Sequence, residues 1–130
     1  MADIDLNELA TTLDSEDMIG FTRVFIEDIR RGFSNVTLER YPWMKEIGNT
    51  EWKGVLALGM GGSAAGGDFL SALCNLKGKV PVIVQRDYVI PSWWNEKWLV
   101  ISTSHSGNTE EAIEATEIAL KAGATVIVIS

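Results

Sequence analysis

The spacing of apolar residues divides the chain into two parts. Residues 1–51 are predicted to be helical, because apolar side chains recur there three and four positions apart, as on one face of a helix. The clearest stripe is Met18, Phe21, Phe25 and Ile29. We expect Asp14 or Ser15 to cap this helix and Gly32 to end it. Pro42 should break the helical segment that follows. The pattern predicts a helical layer that packs on the second part or on a partner subunit.

From residue 52 to residue 130, short apolar runs alternate with helix-like segments. The runs are rich in Val, Ile and Leu and lack polar alternation, which is typical of strands that are covered on both faces of a parallel sheet. They are residues 55–58, 80–84, 99–102 and 125–129. This pattern predicts an α/β fold, an open parallel sheet flanked by helices. If the second and third strands lie on opposite sides of the first, the sheet has the flavodoxin-like strand order 2-1-3-4, which we expect.

Two helices are predicted between these strands. The first, residues 64–76, should bury a large apolar stripe, and the second, residues 109–122, a stripe of smaller residues, with Gly123 as its stop. The stripes are Phe69, Leu70, Leu73 and Leu76 in the first helix and Ala112, Ala115, Ile118 and Ala119 in the second. These faces are expected to pack on the sheet.

The connection between the second and third strands, residues 85–97, is irregular. Pro91 leaves room for little more than one helical turn, near the minimum length for a parallel crossover. Trp93 and Trp94 are expected to pack in the core or at a subunit interface.

The composition of the chain limits the classes of protein to which it can belong. The chain has 130 residues, 46% of them apolar, which suffices for one domain with a core. A net charge of -7 argues against nucleic acid or an anionic membrane surface as a partner. The single cysteine, Cys74, and the charged N-terminus with Asp3 and Asp5 favour a cytoplasmic location. Because the last run, residues 125–129, has nothing after it to cover it, the domain is expected to be incomplete, the front part of a longer polypeptide.

Two loops rich in glycine and hydroxyl groups each lie between a strand and a helix. They are Gly59-Met60-Gly61-Gly62-Ser63 and Ser104-His105-Ser106-Gly107-Asn108-Thr109. In the order 2-1-3-4, the sheet reverses direction between the two strands that these loops follow, so both loops should border one crevice. Free N–H groups at a helix N-terminus, together with hydroxyl donors, favour a bound anion such as phosphate or carboxylate.

The glycines and charges around the loops refine this prediction. Gly66 and Gly67 lie in the first turns of the predicted helix, where each glycine costs about 1 kcal/mol of helix stability relative to alanine. Their presence indicates a close approach of the helix to a strand or a ligand, which would compensate for this cost. Neither loop contains Lys or Arg, so an anion has to be held by neutral donors or by a cation from elsewhere. His105 is a possible proton donor or ligand contact without an identifiable acidic partner, and Asp68 is expected to be a local hydrogen-bonding residue.

Other interpretations of the loops stay open. The first loop could simply be a tight turn that requires positive φ, and Asn108 with Glu111 could form a capping box that only starts the helix. Gly59, Gly61 and Ala64 also fit the loose dinucleotide-binding fingerprint G-x-G-x-x-A. A Walker A loop is excluded because its Gly-Lys-Ser/Thr ending is absent.

From about residue 54 onward, the sequence resembles the SIS (sugar isomerase) domain and, within it, the bifunctional phosphoglucose/phosphomannose isomerases. The resemblance is carried by Gly59-Met60-Gly61-Gly62-Ser63, by Arg86-Asp87-Tyr88 before Pro91, and by Ser104-x-Ser106-Gly107-Asn108-Thr109-Glu110-Glu111. It implies a five-stranded parallel sheet and a phosphate site. The expected phosphate-binding residues are Gly61, Gly62, Ser63, Ser104, Ser106 and Thr109, with His105, Gly107 and Asn108 as possible additions.

The resemblance also implies a reaction, the interconversion of glucose 6-phosphate or mannose 6-phosphate with fructose 6-phosphate through a cis-enediol. No metal and no organic cofactor is expected, and the partners would be a hexose 6-phosphate and a second subunit in a homodimer. The catalytic carboxylate and histidine would come from a second SIS half and the partner subunit, so no catalytic residue is assigned here. The alternative is a module that senses a sugar phosphate without reacting it.

Overall fold

The computed structural model describes residues 6–130, and side chains from residue 8 onward. Residues 1–5, which include Asp3 and Asp5 of the N-terminal charge pattern and the start of the predicted helical segment, lie outside the described residues. The helices are α1 (Leu6–Leu13), α2 (Met18–Asn35), α3 (Met44–Asn49), α4 (Gly61–Lys77) and α5 (Glu110–Lys121). The strands are β1 (Gly54–Leu58), β2 (Val82–Gln85), β3 (Trp98–Thr103) and β4 (Val126–Ile129). The chain divides between Thr50 and Glu51 into two compact units.

The start and end of α2 test two predictions for the first unit. The N-cap residue of α2 is Asp17 rather than Asp14 or Ser15. The carboxylate of Asp14 nevertheless accepts hydrogen bonds from the backbone N–H groups of Met18 at 2.7 Å and Ile19 at 2.8 Å, so it satisfies the first donors of the helix. The prediction that Gly32 ends the helix is wrong, because α2 continues to Asn35. A glycine lowers helix propensity without preventing the hydrogen bonding that continues the helix.

The second unit is built on one parallel sheet in the order β2-β1-β3-β4, as predicted. The central strand, β1, is buried along its whole length. Successive residues of a strand face opposite sides of the sheet. On β1, Leu56 and Leu58 pack in a cluster with Ala115 of α5, whereas Ala57 lies against α4. The two helices therefore cover opposite faces, and α5 also contacts β3 and β4.

Helix α4 packs on the sheet through small residues. A Cβ added to Gly67 would lie 2.9 Å from the Cβ of Ala57, Ala64 is buried, and the Ser71 hydroxyl donates to the carbonyl oxygen of Val82 at 3.0 Å. The prediction that the large apolar stripe of α4 is buried is mostly wrong. Its members Phe69, Leu73 and Leu76 are 66%, 61% and 80% exposed. Close helix–sheet approach requires small side chains at the contact, so the bulky residues of α4 lie on other faces of the helix.

Helix α5 follows its prediction more closely. Ala112, Ala115 and Ala119 are buried, whereas Ile118 is 38% exposed and was wrongly assigned to the core. Gly123 ends the helix with φ at +81°, its N–H bonding to Leu120 O while the N–H of Ala124 bonds to Ala119 O. This hydrogen-bond pair is a Schellman motif and confirms the predicted stop.

The connection between β2 and β3 contains two turns, in which the N–H of Trp94 bonds to Pro91 O at 3.0 Å and the N–H of Trp98 bonds to Asn95 O at 3.1 Å. Trp94 packs against the core cluster, which confirms its predicted packing role. Trp93 is exposed and lies against the ring of Trp98, with centroids 5.1 Å apart. Among the helices of residues 6–130, none combines the length and apolar character that crossing a bilayer would need.

The close contact at Gly67 gives a stability prediction. Gly67→Ala should destabilise the protein by about 1–3 kcal/mol, because the new Cβ overlaps the side chain of Ala57 and neither helix nor strand can shift freely. Gly66→Ala is the matched control in the same helix, since a Cβ there meets no atom within 4 Å. Urea unfolding of both variants measures the difference, and equal midpoints would contradict the packing described here.

Candidate functional site

The first loop connects β1 to α4 and is shaped by two glycines. Gly61 has φ at +50°, a conformation that side chains disfavour. A Cβ added to Gly59 would lie 3.0 Å from the carbonyl oxygen of Thr103, at the end of β3. Glycine at position 59 therefore lets the carboxyl end of β1 come close to that of β3. The tight-turn interpretation is correct for Gly61, but it does not account for Gly59.

The N-terminus of α4 has no side-chain cap. Its N-cap residue is Met60, whose carbonyl oxygen accepts hydrogen bonds from the N–H groups of Ser63 at 3.0 Å and Ala64 at 3.3 Å. A Cβ at Gly62 would meet no atom within 4 Å, so the backbone there is open to an approaching molecule. Uncapped N–H groups in such a position are suited to an anion.

The second loop connects β3 to α5, and it contradicts the capping-box interpretation. The N-cap residue of α5 is Thr109 rather than Asn108, and no side chain caps the helix. Asn108 instead donates its backbone N–H to the hydroxyl oxygen of Ser106 at 3.2 Å. The loop therefore does more than start a helix, because its hydroxyl groups lie close to one another and do not cap the N–H groups of α5.

These hydroxyl groups form a hydroxyl cluster made of Ser104, Ser106 and Thr109. Thr109 Oγ1 lies 3.0 Å from Ser104 Oγ and 3.4 Å from Ser106 Oγ, and the two serine oxygens are 3.5 Å apart. Ser104 is buried, with 8% of its surface exposed, whereas Ser106 is exposed. Each hydroxyl can rotate its proton toward an external acceptor without movement of its oxygen. The cluster is therefore preorganised for a polar or anionic group.

The two loops are joined by a direct hydrogen bond. The backbone N–H of His105 donates to the hydroxyl oxygen of Ser63 at 3.2 Å, across 42 residues of sequence. This contact confirms that the loops converge at the point where the strand order reverses. It also fixes the position of the backbone at residue 105 whatever side chain that residue carries.

A cavity of about 730 Å³ lies beside this junction and is bounded by both loops. Its lining residues are Met60, Gly62, Ser63, Gly66, Thr103, His105, Ile129 and Ser130. Ser104 and Gly107 line a smaller neighbouring pocket of about 220 Å³, and Ser130 borders both. Gly61, Ser106, Asn108 and Thr109 line neither space. Of the candidate residues, Gly62, Ser63 and His105 therefore border the larger space, and Ser104 and Gly107 border the smaller one.

The acidic residues after the second loop lie beside another group. The negative charge of Glu111 is the main cause that raises the pKa of Tyr88 above its ordinary value, with smaller contributions from Glu110 and Glu114. Glu110 and Glu114 line a separate groove with Tyr88. The glutamates that follow the loop in sequence are thus absent from the lining of the 730 Å³ cavity.

The arginine that follows β2 and the lysine at the end of α5 are both paired. Arg86, which follows β2, forms an ion pair with Asp68 of α4, so Asp68 is a local hydrogen-bonding residue as predicted. Lys121 pairs with Glu117 at 2.9 Å. Among residues 6–130, no group of three or more histidine, cysteine or carboxylate side chains is placed to hold a metal ion.

Sequence reasoning missed the contribution of β4 to the cavity. Ile129 and Ser130 border it because β4 lies next to β3, so its carboxyl end reaches the second loop. The strand order 2-1-3-4 contained that signal. Thr103 and Gly66 were equally recognisable as neighbours of the two loops, although only the folded chain shows that they face the same space.

Comparison with known proteins identifies relatives of this chain. No protein-family model matches it. It is 49% identical over 76 residues to a bifunctional phosphoglucose/phosphomannose isomerase of Caldicellulosiruptor bescii, a match covering 58% of this chain and 22% of that protein. Proteins of the same name from Thermoplasma volcanium and Aquifex aeolicus are 43% and 37% identical over 72 and 75 residues, covering 55% and 57% of this chain and 23% of each relative. The chain thus matches less than a quarter of the length of these curated relatives.

A solved structure gives the same result for the fold. A candidate phosphosugar isomerase from Salmonella typhimurium LT2 superposes on this chain with a TM-score of 0.56 and 26% sequence identity. The superposition covers 68% of this chain and 28% of the Salmonella chain. The resemblance seen in the sequence is confirmed: the chain is homologous to part of the bifunctional phosphoglucose/phosphomannose isomerases and has an SIS-like α/β fold.

Proposed function

We propose that the protein acts as a sugar-phosphate isomerase, interconverting glucose 6-phosphate or mannose 6-phosphate with fructose 6-phosphate. In this proposal the α/β unit binds the phosphate group. The names of the relatives support the reaction class, and the geometry of the two loops supports the binding role. A homodimer in the cytoplasm is part of the same proposal.

The observation that carries the binding role is the hydroxyl cluster at the uncapped start of α5, joined to Ser63 through the backbone of His105. A hydrogen bond to a charged acceptor contributes about 1.5–3 kcal/mol. Three or four such bonds are enough to hold a phosphate without a metal ion. The N–H groups at the start of α4, where Gly61 and Gly62 leave the backbone open, would add donors from the opposite side.

The proposed chemistry requires a base that moves a proton between C2 and C1 of the open-chain sugar. The described residues near the loops do not supply one, since the carboxylates of Glu110 and Glu114 lie in a separate groove with Tyr88. The role proposed for Ser63, Ser104, Ser106 and Thr109 is to fix the phosphate, so that the reacting carbons take a defined position. The base and the ring-opening histidine are proposed to come from a second SIS half and a partner subunit.

Removal of one exposed hydroxyl tests the phosphate site. Ser106→Ala should weaken the binding of fructose 6-phosphate by about tenfold to a hundredfold, the loss expected for one hydrogen bond to a charged acceptor. Isothermal titration calorimetry measures the dissociation constants. Ser34→Ala is the matched control, because the Ser34 hydroxyl donates only to a carbonyl within α2. An unchanged affinity in Ser106→Ala would argue against the site.

A methyl group added at Gly62 should lower the affinity for the ligand without lowering the stability of the fold. Gly62→Ala should leave the thermal midpoint unchanged or slightly higher, because its Cβ meets no protein atom within 4 Å and alanine favours a helix. It should nevertheless weaken fructose 6-phosphate binding by at least about tenfold, because the methyl occupies space proposed for the ligand. Gly32→Ala, which also meets open space in helix α2, is the control. Equal affinities in the two variants would contradict the proposed placement of the ligand.

Turnover distinguishes an isomerase from a sensing module. The 130 residues alone should bind fructose 6-phosphate without turnover, because the base and the ring-opening histidine are proposed to come from a second SIS half and a partner subunit. A polypeptide that carries the proposed second SIS half should convert fructose 6-phosphate to glucose 6-phosphate or mannose 6-phosphate, a reaction followed by separating the sugars chromatographically. Ser106→Ala should lower kcat/KM at least as much as it lowers affinity, since binding precedes chemistry. Binding without any turnover by the polypeptide with the second SIS half would replace the enzymatic proposal with the sensing one.

A further inference from the structure

Strand β3 carries a polar residue on a face that packs in the apolar core. Successive residues of a strand alternate between the two faces of the sheet, so Ser102 shares a face with Val100. Val100 belongs to the core cluster that includes Ala115 of α5. Ser102 is itself buried, with 4% of its surface exposed. A hydroxyl group in such a position costs free energy unless it is hydrogen-bonded, so its partner indicates what the residue does.

The partner of Ser102 is Thr116, in the middle of α5. The Thr116 hydroxyl donates to Ser102 Oγ at 2.8 Å and lies 2.5 Å from the carbonyl oxygen of Ala112 in its own helix. The buried side chains of Ala115 and Ala119 also bring α5 onto the sheet. Alanine is short and has no directional group, whereas a hydrogen bond weakens steeply when its atoms shift or tilt. The Thr116–Ser102 bond therefore fixes where α5 lies along β3.

A second pair of hydroxyl groups crosses the same gap between β3 and α5. Ser104 follows Ser102 by two residues along the strand direction. At the helix, the N-cap residue Thr109 precedes Thr116 by seven residues, close to two helical turns. Thr109 Oγ1 is 3.0 Å from Ser104 Oγ, the shortest contact of the hydroxyl cluster. One pair thus joins the two elements inside the core, and the other joins them at the edge of the candidate site.

The pocket of about 220 Å³ shows that the two pairs are neighbours. Ser102, Ser104 and Thr116 all line it. A displacement of α5 that stretched the inner pair would therefore also change the distance between Thr109 and Ser104. Because the hydroxyl groups of the outer pair are proposed ligand donors, their spacing depends on a contact that the ligand does not reach.

We propose that Thr116 and Ser102 are positioning residues for the second loop. Their buried hydrogen bond holds α5 at the place along β3 where Thr109 meets Ser104, so that the hydroxyl cluster is assembled before a ligand arrives. This inference rests on the function proposed above and deepens it, although neither residue belongs to the proposed phosphate-binding set. Preorganised donors bind more tightly because the ligand does not have to order them.

Calorimetric titration with fructose 6-phosphate tests the role in Thr116→Val, Ser102→Ala and the double variant. Each lacks the buried bond, so each should bind roughly threefold to tenfold more weakly than the wild type, as for the net loss of one hydrogen bond. Thr116→Ser keeps the hydroxyl and should bind like the wild type. Thr22→Val is the matched control, because the Thr22 hydroxyl donates to a carbonyl oxygen of its own helix, α2, at 2.7 Å.

Thermal unfolding separates positioning from an effect on stability alone. Thr116→Val leaves the buried Ser102 hydroxyl without its partner, so this variant should have the lowest midpoint. The double variant removes that hydroxyl as well and should regain part of the midpoint. Its affinity should nevertheless stay low, because the bond that positions the loop is still missing. If affinity recovered together with the midpoint, the positioning role would be wrong.

Hydrogen exchange without ligand makes the test independent of the proposed function. The backbone N–H groups of Ser104, His105 and Gly107 are hydrogen-bonded, and they should exchange faster in Thr116→Val than in the wild type or in Thr116→Ser. Unchanged exchange in Thr116→Val would overturn the positioning role, and the proposed function would stand if the wild type bound fructose 6-phosphate. Faster exchange in Thr116→Val, with no binding by the wild type, would support the positioning role and refute the proposed function.

Discussion

The geometry of this protein depends on the close approach of the carboxyl ends of β1 and β3. The approach is possible because Gly59 has no side chain, since a Cβ there would lie 3.0 Å from the carbonyl oxygen of Thr103. The hydrogen bond from His105 N–H to Ser63 Oγ then joins the loops that continue from these strands. A side chain at position 59 would press on the carbonyl oxygen of Thr103, and the neighbouring backbone would have to move by a few tenths of an ångström. The convergence of the loops is thus a consequence of backbone packing, and the chemistry of the site follows from it.

The placement of α4 follows a similar rule. Ala64, Gly67 and Ser71 bring the helix so near to β1 and β2 that the Ser71 hydroxyl reaches the carbonyl oxygen of Val82. Because the start of this helix belongs to the first loop, its distance from the sheet also sets the position of the Gly61 and Gly62 backbone. The stripe of Phe69, Leu73 and Leu76 is exposed as a result. Hydrophobicity alone therefore misjudges the orientation of a helix whose contact with the sheet is made by its smallest residues.

The electrostatics of the site are determined by which side of the second loop each charge occupies. An acidic run directly after a candidate anion site would oppose binding if its carboxylates lined the cavity. Glu110 and Glu114 instead line a groove with Tyr88, and the negative charge of Glu111 is the largest cause of the raised pKa of the Tyr88 phenol. Arg86 is held by Asp68 on α4. The lining of the cavity therefore consists of hydroxyl groups, backbone donors and one histidine. Anion binding in such a site depends more on the geometry of the donors than on the net charge of the protein.

The sequence by itself determined the parallel sheet, the strand–loop–helix setting of both loops and the resemblance to sugar isomerases, because each depends on local periodicity or on motifs of adjacent residues. The strand order was an expectation that the folded chain confirmed. Continuous apolar runs specify strands buried on both faces, and the glycine and hydroxyl pattern marks the loops. The folded chain was required for the Gly59–Thr103 approach, the His105–Ser63 hydrogen bond, the choice of Thr109 over Asn108 as N-cap, and the contribution of β4 to the cavity lining. Such contacts depend on how far apart packed elements lie, and the buried face of α4 shows that side-chain size at a few positions decides this distance. Tertiary packing therefore determines which candidate residues lie close together, whereas the sequence alone identified the residues of the two loops as candidates.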